Sequence, residues 1–452
     1  MPQEAVGSDD SPVMDASRGL IPTTPLANRS QPRPSAGRAG PVPGSPPALL
    51  SQLALAAVRR LHRALGASDV RFELADGNAV GAARSEAVAT LRFRDARAPF
   101  ALALDPDLAL GDLYASGRIA IDGSLVDFLS RTDGSGSHGG LAGAAHRLLG
   151  AGRRAPASWR QALGRAAGNA RHHYDVGNDF YALWLDERMV YTCAYFARPE
   201  LSLAEAQLAK LDHVCRKLRL QPGQSVLELG CGWGALAIHM ASRYGVQVRA
   251  FNVSLEQIDW AREQARKEGV ASRVEFVLDD YRNAHGHFDA LASVGMLEHV
   301  GPAHFAELGR VIDRTLAPNG LGFLHTIGRA RPQALNRWVA TRIFPHAHPP
   351  ALSEMARIFE PNGFAVLDVE NLRLHYERTA QLWLERFQQS WPAIVARVPE
   401  QTARAFELYL AGTVAAFRCA WMCLYQVVFA RAKSAAVPWT RADLYEAAHG
   451  AR

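Results

Sequence analysis

The chain has 452 residues, 48% of them apolar and 21% charged, with a formal net charge of +6. That length suits two or three domains with their own cores, and the apolar fraction excludes wholesale disorder and a fibrous repeat. Five cysteines without CxxC spacing argue against a disulfide framework and a zinc site, and indicate a reducing compartment.

Residues 1–48 hold ten of the 25 prolines and are expected to be a disordered tail, because they cannot bury enough apolar surface to offset ordering entropy. Four acidic residues in the first fifteen and no apolar h-region argue against a signal peptide. In Leu49–Leu65, residues Leu50, Leu53, Ala57, Leu61 and Leu65 share one helical face, interleaved with Arg59, Arg60 and Arg63. Such a helix either packs on its own domain or lies in a membrane interface. The runs Val70–Leu74, Ala87–Phe93 and Phe100–Leu104 are expected as strands of a small sheet, and Leu113–Phe128 closes this first domain, 49–131. A Gly/Ser/His stretch, Gly134–Gly143, opens a flexible basic linker, 132–169.

Charge is concentrated there. Residues 131–171 contain seven arginines against Asp133 alone, an excess equal to the net charge of the whole chain. Such a block suits phosphate in nucleic acid or lipid headgroups, or is a solvated linker. No recognised nucleic-acid motif accompanies it, so nucleic acid is not expected as a partner. No stretch supplies the ~20 uninterrupted apolar residues of a spanning helix; Leu408–Ala430 is cut by Arg418 and Gln426.

From about Ala170 the pattern changes to alternating strands (Ser225–Leu229, Val246–Val253, Val274–Leu278, Phe288–Val294, Gly320–Thr326) and helices (Ala235–Tyr244, Ser254–Gly269, Pro302–Leu316). This predicts an α/β fold with a doubly wound parallel sheet, followed by a largely helical segment, Thr379–Lys433. The first strand runs into Gly230-Cys-Gly-Trp-Gly234, whose glycines allow a tight turn and close ligand approach. Glu228, two residues ahead, disfavours a pyrophosphate and suits a cationic ligand. S-adenosylmethionine (SAM) therefore fits better than NAD, with a nucleotide or a plain structural turn as alternatives. Asn252 stands at the end of the second strand, where a ribose-binding acid is common, and can still hydrogen-bond. Tyr281 is either an adenine platform or a boundary aromatic. Glu298 and His299 look like a site pair, and His325 like a satisfied strand-end histidine.

The blocks His173–Phe180, Val190–Phe196, Leu229–Gly234, Ser293–Gly301, Leu324–Gly328, Phe344-Pro345, Gln426–Arg431 and Thr440–Tyr445 resemble the cyclopropane-fatty-acyl-phospholipid synthases, a family that includes the mycolic acid cyclopropane synthases. The resemblance spans roughly residues 170–445, the expected catalytic domain. More weakly, the first domain is similar to the small α+β sterol-carrier-like domain of bacterial members. The resemblance implies a Rossmann-like SAM-dependent methyltransferase whose acceptor is the cis double bond of an unsaturated phospholipid acyl chain. It implies a carbocation deprotonated by bound bicarbonate, with Glu298, His325 and Tyr376 at the ion, and Cys193 and Ile327 meeting it largely through backbone. It assigns SAM to Tyr191, Thr192, Glu228, Gly230, Gly232, Asn252, Gln257 and Tyr281, and implies no metal. It further implies a homodimer in peripheral contact with the inner face of the cytoplasmic membrane. Methylene and methyl-branched products remain open, as does a lapsed lipid-binding protein. One position departs from the family pattern: Thr413 stands where a cysteine is common, which argues against covalent catalysis there. Cys419 and Cys423 are expected to be core packing.

Overall fold

A computed structural model describes residues 48–132, 176–435, 437–441 and 444. The expected tail at 1–48 and linker at 132–169 lie outside the described residues except for Ala48 and Thr132, which are helical, and so do the matching residues His173–Asp175. Of the arginine block only Arg131 is described, and its guanidinium pairs with Asp69. The described part belongs to one compact unit, Pro46–Arg452.

Helix α1 (Ala48–Leu65) buries Ala54, Val58, Leu61 and Leu65, while Leu53, Arg59, Arg60 and Arg63 face outward. Strands β1 (Val70–Glu73), β2 (Ala79–Gly81) and β3 (Ala89–Phe93) follow, then helices α2 (Ala98–Leu104) and α3 (Pro106–Ala115), strand β4 (Ile119–Gly123) and helix α4 (Leu125–Thr132). The sheet order is β2-β1-β3-β4, with only β1 and β3 parallel. The expected strand Phe100–Leu104 is instead helical. Its large residues alternate with alanines, a strong helix former, and the turn is started by Asp95, whose Oδ1 accepts from the N–H groups of Arg97 and Ala98, each at 2.9 Å. Pro99 then sits in the first turn, where its missing N–H is harmless.

The catalytic part opens with α5 (Asn178–Tyr181) and α6 (Leu203–Lys217), the latter fixed by a Ser202–Glu205 capping box. Next come β5 (Ser225–Leu229), α7 (Ala235–Tyr244), β6 (Gln247–Asn252), α8 (Leu255–Lys267), β7 (Val274–Leu278), β8 (Phe288–Val294), α9 (Leu297–Val300), α10 (Phe305–Thr315) and β9 (Leu316–Gly328). The chain then forms α11 (Leu352–Phe359), β10 (Phe364–Asn371), α12 (Arg373–Gln389), α13 (Trp391–Val395), α14 (Glu400–Arg418) and β11 (Cys423–Arg431). Seven strands run in the order β10-β11-β9-β8-β5-β6-β7, and β11 is antiparallel to both its neighbours. The other strand pairs, β5–β6, β5–β8, β6–β7 and β8–β9, are parallel, as a Rossmann-like sheet requires.

The C-terminal segment is therefore not helical to its end. Ala420 adopts a left-handed φ of 58° just after α14, and the chain then enters β11, buried at every position but the last. A continuous apolar run of this kind reads equally as buried strand or buried helix.

Helix α14 packs on α12 and also on α3 and α4 of the N-terminal part. Tyr114 Oη donates to Glu407 Oε2 at 3.0 Å, and Arg404 Nε donates to the Tyr114 carbonyl at 2.8 Å. Leu113, Phe128 and Leu129 share one buried cluster with Phe406, Leu410 and Val414. The small sheet and the catalytic helices thus have a common core.

Candidate active site

The carboxyl ends of β5, β6, β8 and β9 open onto a cavity of about 700 Å³, within the range of cofactor and ligand sites. Its lining includes all thirteen residues expected to bind cofactor or act at the ion.

The glycine loop forms one side. Gly230, Gly232 and Gly234 have φ values of 83°, 54° and 82°, a region L side chains avoid. A Cβ on Gly230 would stand 2.8 Å from Met296, whereas one on Gly232 would meet nothing within 4 Å. The loop is pulled onto β6, since the N–H groups of Gly230 and Cys231 both donate to the Phe251 carbonyl. Asn252 Nδ2 donates to the Gly232 carbonyl at 3.1 Å and to Gln257 Oε1 at 2.9 Å, tying the loop to the start of α8. Tyr281 begins a short 3₁₀ turn, and Arg282, gripped by Asp280, lies 5.8 Å from its ring centre. Glu228 is buried at the end of β5 with its Oε2 unpartnered, and burial raises its carboxyl to about 8.

The segment Met189–Ala194 forms a second wall. Tyr191 meets Trp184 and Trp383 at ring distances of 5.1 and 5.2 Å, and its hydroxyl donates to that of Tyr409 at 3.4 Å. Thr192 Oγ1 accepts from Lys210 Nζ at 2.9 Å, and its carbonyl accepts from Gln207 Nε2 at 2.8 Å. Cys193 Sγ donates to the Ala194 carbonyl at 3.2 Å, and burial pushes its thiol far up, so it stays protonated.

The third wall carries the chemistry. Glu298 sits on α9, just past Gly295 in its left-handed turn. Its Oε1 accepts the Ile327 N–H at 2.6 Å, its buried Oε2 has no partner, and burial raises the carboxyl to about 7. His325 lies two residues from Ile327 on β9, so both project from one face. Its Nδ1 is paired with Gln426 Nε2 of β11 at 3.2 Å. The amide nitrogen can only donate, so Nδ1 accepts and the ring's proton sits on the buried Nε2, which has no partner. Burial, with nearby positive charge, keeps this imidazole neutral. The sequence-based expectation of a satisfied strand-end histidine is thus half right: one nitrogen is held and the other is left open. Ile327 gives its N–H to Glu298, so that amide is spent on the carboxylate in this structure. Tyr376, on the first turn of α12, stacks on Phe417 at 4.4 Å. His299 also lines the cavity, but burial alone drives its ring down to about 4, and it stays neutral against Phe344 at 5.8 Å.

Thr413 reaches the lining, but its hydroxyl donates to the Tyr409 carbonyl of its own helix at 2.8 Å. Cys419 and Cys423 do not line the cavity; Cys419 Sγ lies 3.7 Å from the Ser130 carbonyl and Cys423 is paired with Gly328 in the sheet.

Several contributors escape sequence reasoning. Pro106, Leu110, Gly111, Leu129 and Thr132 of the N-terminal part close the cavity, together with Trp338 and Val339. The wall is tight: a Cβ on Gly111 would stand 2.2 Å from the Trp338 ring. Trp338 Nε1 and the Arg342 guanidinium both donate to Asp112, and Asn336 Nδ2 donates to Asp107 at 3.0 Å. No motif announces these contacts. Gln207 and Lys210 did leave a signal, since both fall in register with Leu203, Ala206 and Val214 on the face of α6 that periodicity makes apolar.

A family model described as mycolic acid cyclopropane synthetase matches residues 161–427. The cyclopropane-fatty-acyl-phospholipid synthase of Escherichia coli K12 is 42% identical over 262 residues, covering 58% of this chain and 67% of that one. A probable fatty acid methyltransferase of Pseudomonas putida is 40% identical over 285 residues, covering 61% and 72%. Among solved structures, a mycolic acid cyclopropane synthase complexed with SAH and CTAB is 29% identical with a TM-score of 0.56, covering 58% of this chain and 97% of that one. The strand order, the glycine loop beneath a buried carboxylate and a family match over more than half the sequence agree: the chain belongs to the mycolic acid cyclopropane synthetase family and is a SAM-dependent methyltransferase of the cyclopropane-synthase type.

Proposed function

We propose that this protein is a cyclopropane-fatty-acyl-phospholipid synthase, adding a methylene from SAM across the cis double bond of an unsaturated phospholipid acyl chain with bicarbonate as the base. The observation that carries this reading is the pair of unpartnered buried atoms, Glu298 Oε2 and His325 Nε2, in a cavity otherwise rich in aromatic and aliphatic side chains. One is an acceptor and the other a donor, the pair of functions a bicarbonate ion needs, because it carries both an O–H and negative oxygens. Glu298 would take the O–H and the His325 N–H an anionic oxygen. Glu228 and the glycine loop fit a cationic cofactor by the same test, since Glu228 Oε2 is buried without a partner.

When bound, SAM supplies an electrophilic methyl group on a sulfonium, and bicarbonate supplies a base. The chain's own residues do the remaining work. Tyr191, Tyr376 and Phe417 offer aromatic faces to the cation left on the acyl chain when its double bond takes the methyl. The apolar wall of Leu110, Leu129, Trp338 and Leu408 keeps water from that cation. Glu298 and His325 hold the proton acceptor beside it, so the proton lost comes from the incoming methyl and the ring closes. Cys193 and Thr413 have no covalent role in this scheme, one being a buried thiol and the other tied to its own helix.

No helix among the described residues is long and apolar enough to cross a membrane. We propose that the enzyme works as a homodimer from the inner surface of the cytoplasmic membrane, with the arginine block at 131–171 near anionic headgroups. Each basic residue held at such a surface contributes about 1 kcal/mol. A second reading, methyl transfer ending in a methylene or methyl-branched chain, is favoured by the likeness to the Pseudomonas putida relative.

The deciding experiment incubates the protein with SAM and vesicles of monounsaturated phospholipid. The expected product is an acyl chain heavier by one CH2, with NMR signals of a cyclopropane ring. Vinylidene signals at that same mass would favour the second reading, and an unmodified chain would overturn both.

A further inference from the structure

Helix α6 brings into the cavity wall a charge that neither the glycine loop nor the ion site uses. Lys210 is 2% exposed and lines the cavity. An ammonium carries three donors. One goes to Thr192 Oγ1 at 2.9 Å, and no carboxylate lies within ion-pair distance among the described residues. Glu228 presents the opposite deficit: it is 1% exposed, lines the same cavity, and its Oε2 has no partner. The two charges feel one another without forming an ion pair. Burial therefore lowers the Lys210 ammonium to about 8 and raises the Glu228 carboxyl to about 8. The other ionisable groups facing them do not close the gap. Around Lys210 these are Asp186, Cys193 and His325, and around Glu228 they are Cys215 and Cys231. Asp186 is turned to the backbone, accepting from the N–H groups of Val190 at 2.9 Å and Arg188 at 3.2 Å. The cysteines are neutral thiols raised by burial, and His325 is a neutral ring.

A buried acid and a buried base, each short of a partner and more than an ion pair apart, are complementary to a ligand carrying both charges on one carbon. Thr192 adds to this. Its oxygen accepts from Lys210, leaving its own O–H to donate, with no acceptor among the described residues. We propose that Lys210 and Glu228 form a split-charge receptor for the α-amino-acid end of the cofactor, Lys210 with Thr192 binding the carboxylate and Glu228 the ammonium. This rests on SAM being the cofactor, and it gives Lys210 a binding role that no motif assigns.

The test compares two nucleosides by calorimetry: S-adenosylhomocysteine, which carries the amino-acid end, and 5′-methylthioadenosine, which lacks it. Lys210→Met is expected to weaken S-adenosylhomocysteine about 10- to 100-fold, the range for losing a charge-assisted hydrogen bond. It should leave 5′-methylthioadenosine within about twofold of wild type. Lys210→Arg should recover part of the loss, and Lys210→Gln serves should the Met variant fail to fold. Equal loss for both nucleosides would make Lys210 a structural support and overturn the proposal, as would no loss for either. Should the wild type bind neither nucleoside, the cofactor assignment itself falls and takes the proposal with it.

Discussion

Replacing Glu298 by glutamine separates what this side chain does for turnover from what it costs the fold. The amide keeps its shape and can still accept the Ile327 N–H that now lies 2.6 Å from Oε1. Its nitrogen, however, replaces the unpartnered Oε2 and donates where the ion's O–H needs an acceptor. Losing a charged acceptor and gaining an opposed donor removes about 4 kcal/mol, or about 1000-fold in turnover. Stability should move the other way. Burial raises the wild-type carboxyl from 4.5 to about 7, so above pH 4.5 the folded state holds a proton that the unfolded chain has released. Wild-type stability therefore falls as pH rises through this window and levels off above about 7, at a total cost of about 3 kcal/mol. An amide does not titrate. Glu298→Gln should match the wild type near pH 4 and exceed it by about 3 kcal/mol near pH 8. Denaturant unfolding across that range, together with turnover and SAM binding, measures all three effects. Near-normal turnover would remove Glu298 from the mechanism, and a pH-independent stability difference would refute the burial argument.

Thr413→Ala should retain most activity, because its hydroxyl is tied to Tyr409 of its own helix; a loss as deep as that of Glu298→Gln in the same assay would contradict this. Gly111→Ala drives a methyl into the Trp338 ring and should cost about 1–3 kcal/mol of stability. It should also raise the KM for the acyl substrate while leaving SAM affinity unchanged, and steady-state kinetics that show the reverse would place this wall elsewhere. Gln426→Leu removes the donor that fixes the proton on His325 Nε2, and turnover should fall about 10- to 100-fold. Imidazole NMR resonances would show the tautomer shift, and an unchanged tautomer would exclude this role.

Much of the catalytic sheet is legible because its determinants are local. Helix α7 is bounded by Gly234 and Gly245, both in left-handed conformations, and its sequence-based limits coincide with those observed. The strands from Ser225 onward are separated by such signals. Elsewhere local signals compete. Phe100-Ala-Leu-Ala-Leu104 alternates like a strand, but its fate is set upstream by the Asp95 carboxylate and Pro99. Strand β11 carries no periodicity because it is buried on both faces, so only its sheet neighbours distinguish it from the end of a helix. The site divides likewise. The glycines and Glu298 announce themselves by motif and Lys210 only by its place on an apolar helix face, whereas Gly111 matters only through a partner distant in the chain, Trp338.

The reversed strand also sets the order in which the molecule can be finished. Among the described strands β11 comes last in the chain, yet it is inserted between β10 and β9, and its pairing brings Gln426 opposite His325. Until residues 423–431 emerge, β9 is a bare sheet edge and the imidazole has nothing to set its proton. A nascent chain therefore holds the glycine loop, Glu298 and His325 without a finished site, and a chain cut short before Arg431 exposes an apolar edge open to pairing with another copy. The tautomer of His325 and the cover over the β9 edge arrive in the same step, with residues 423–431.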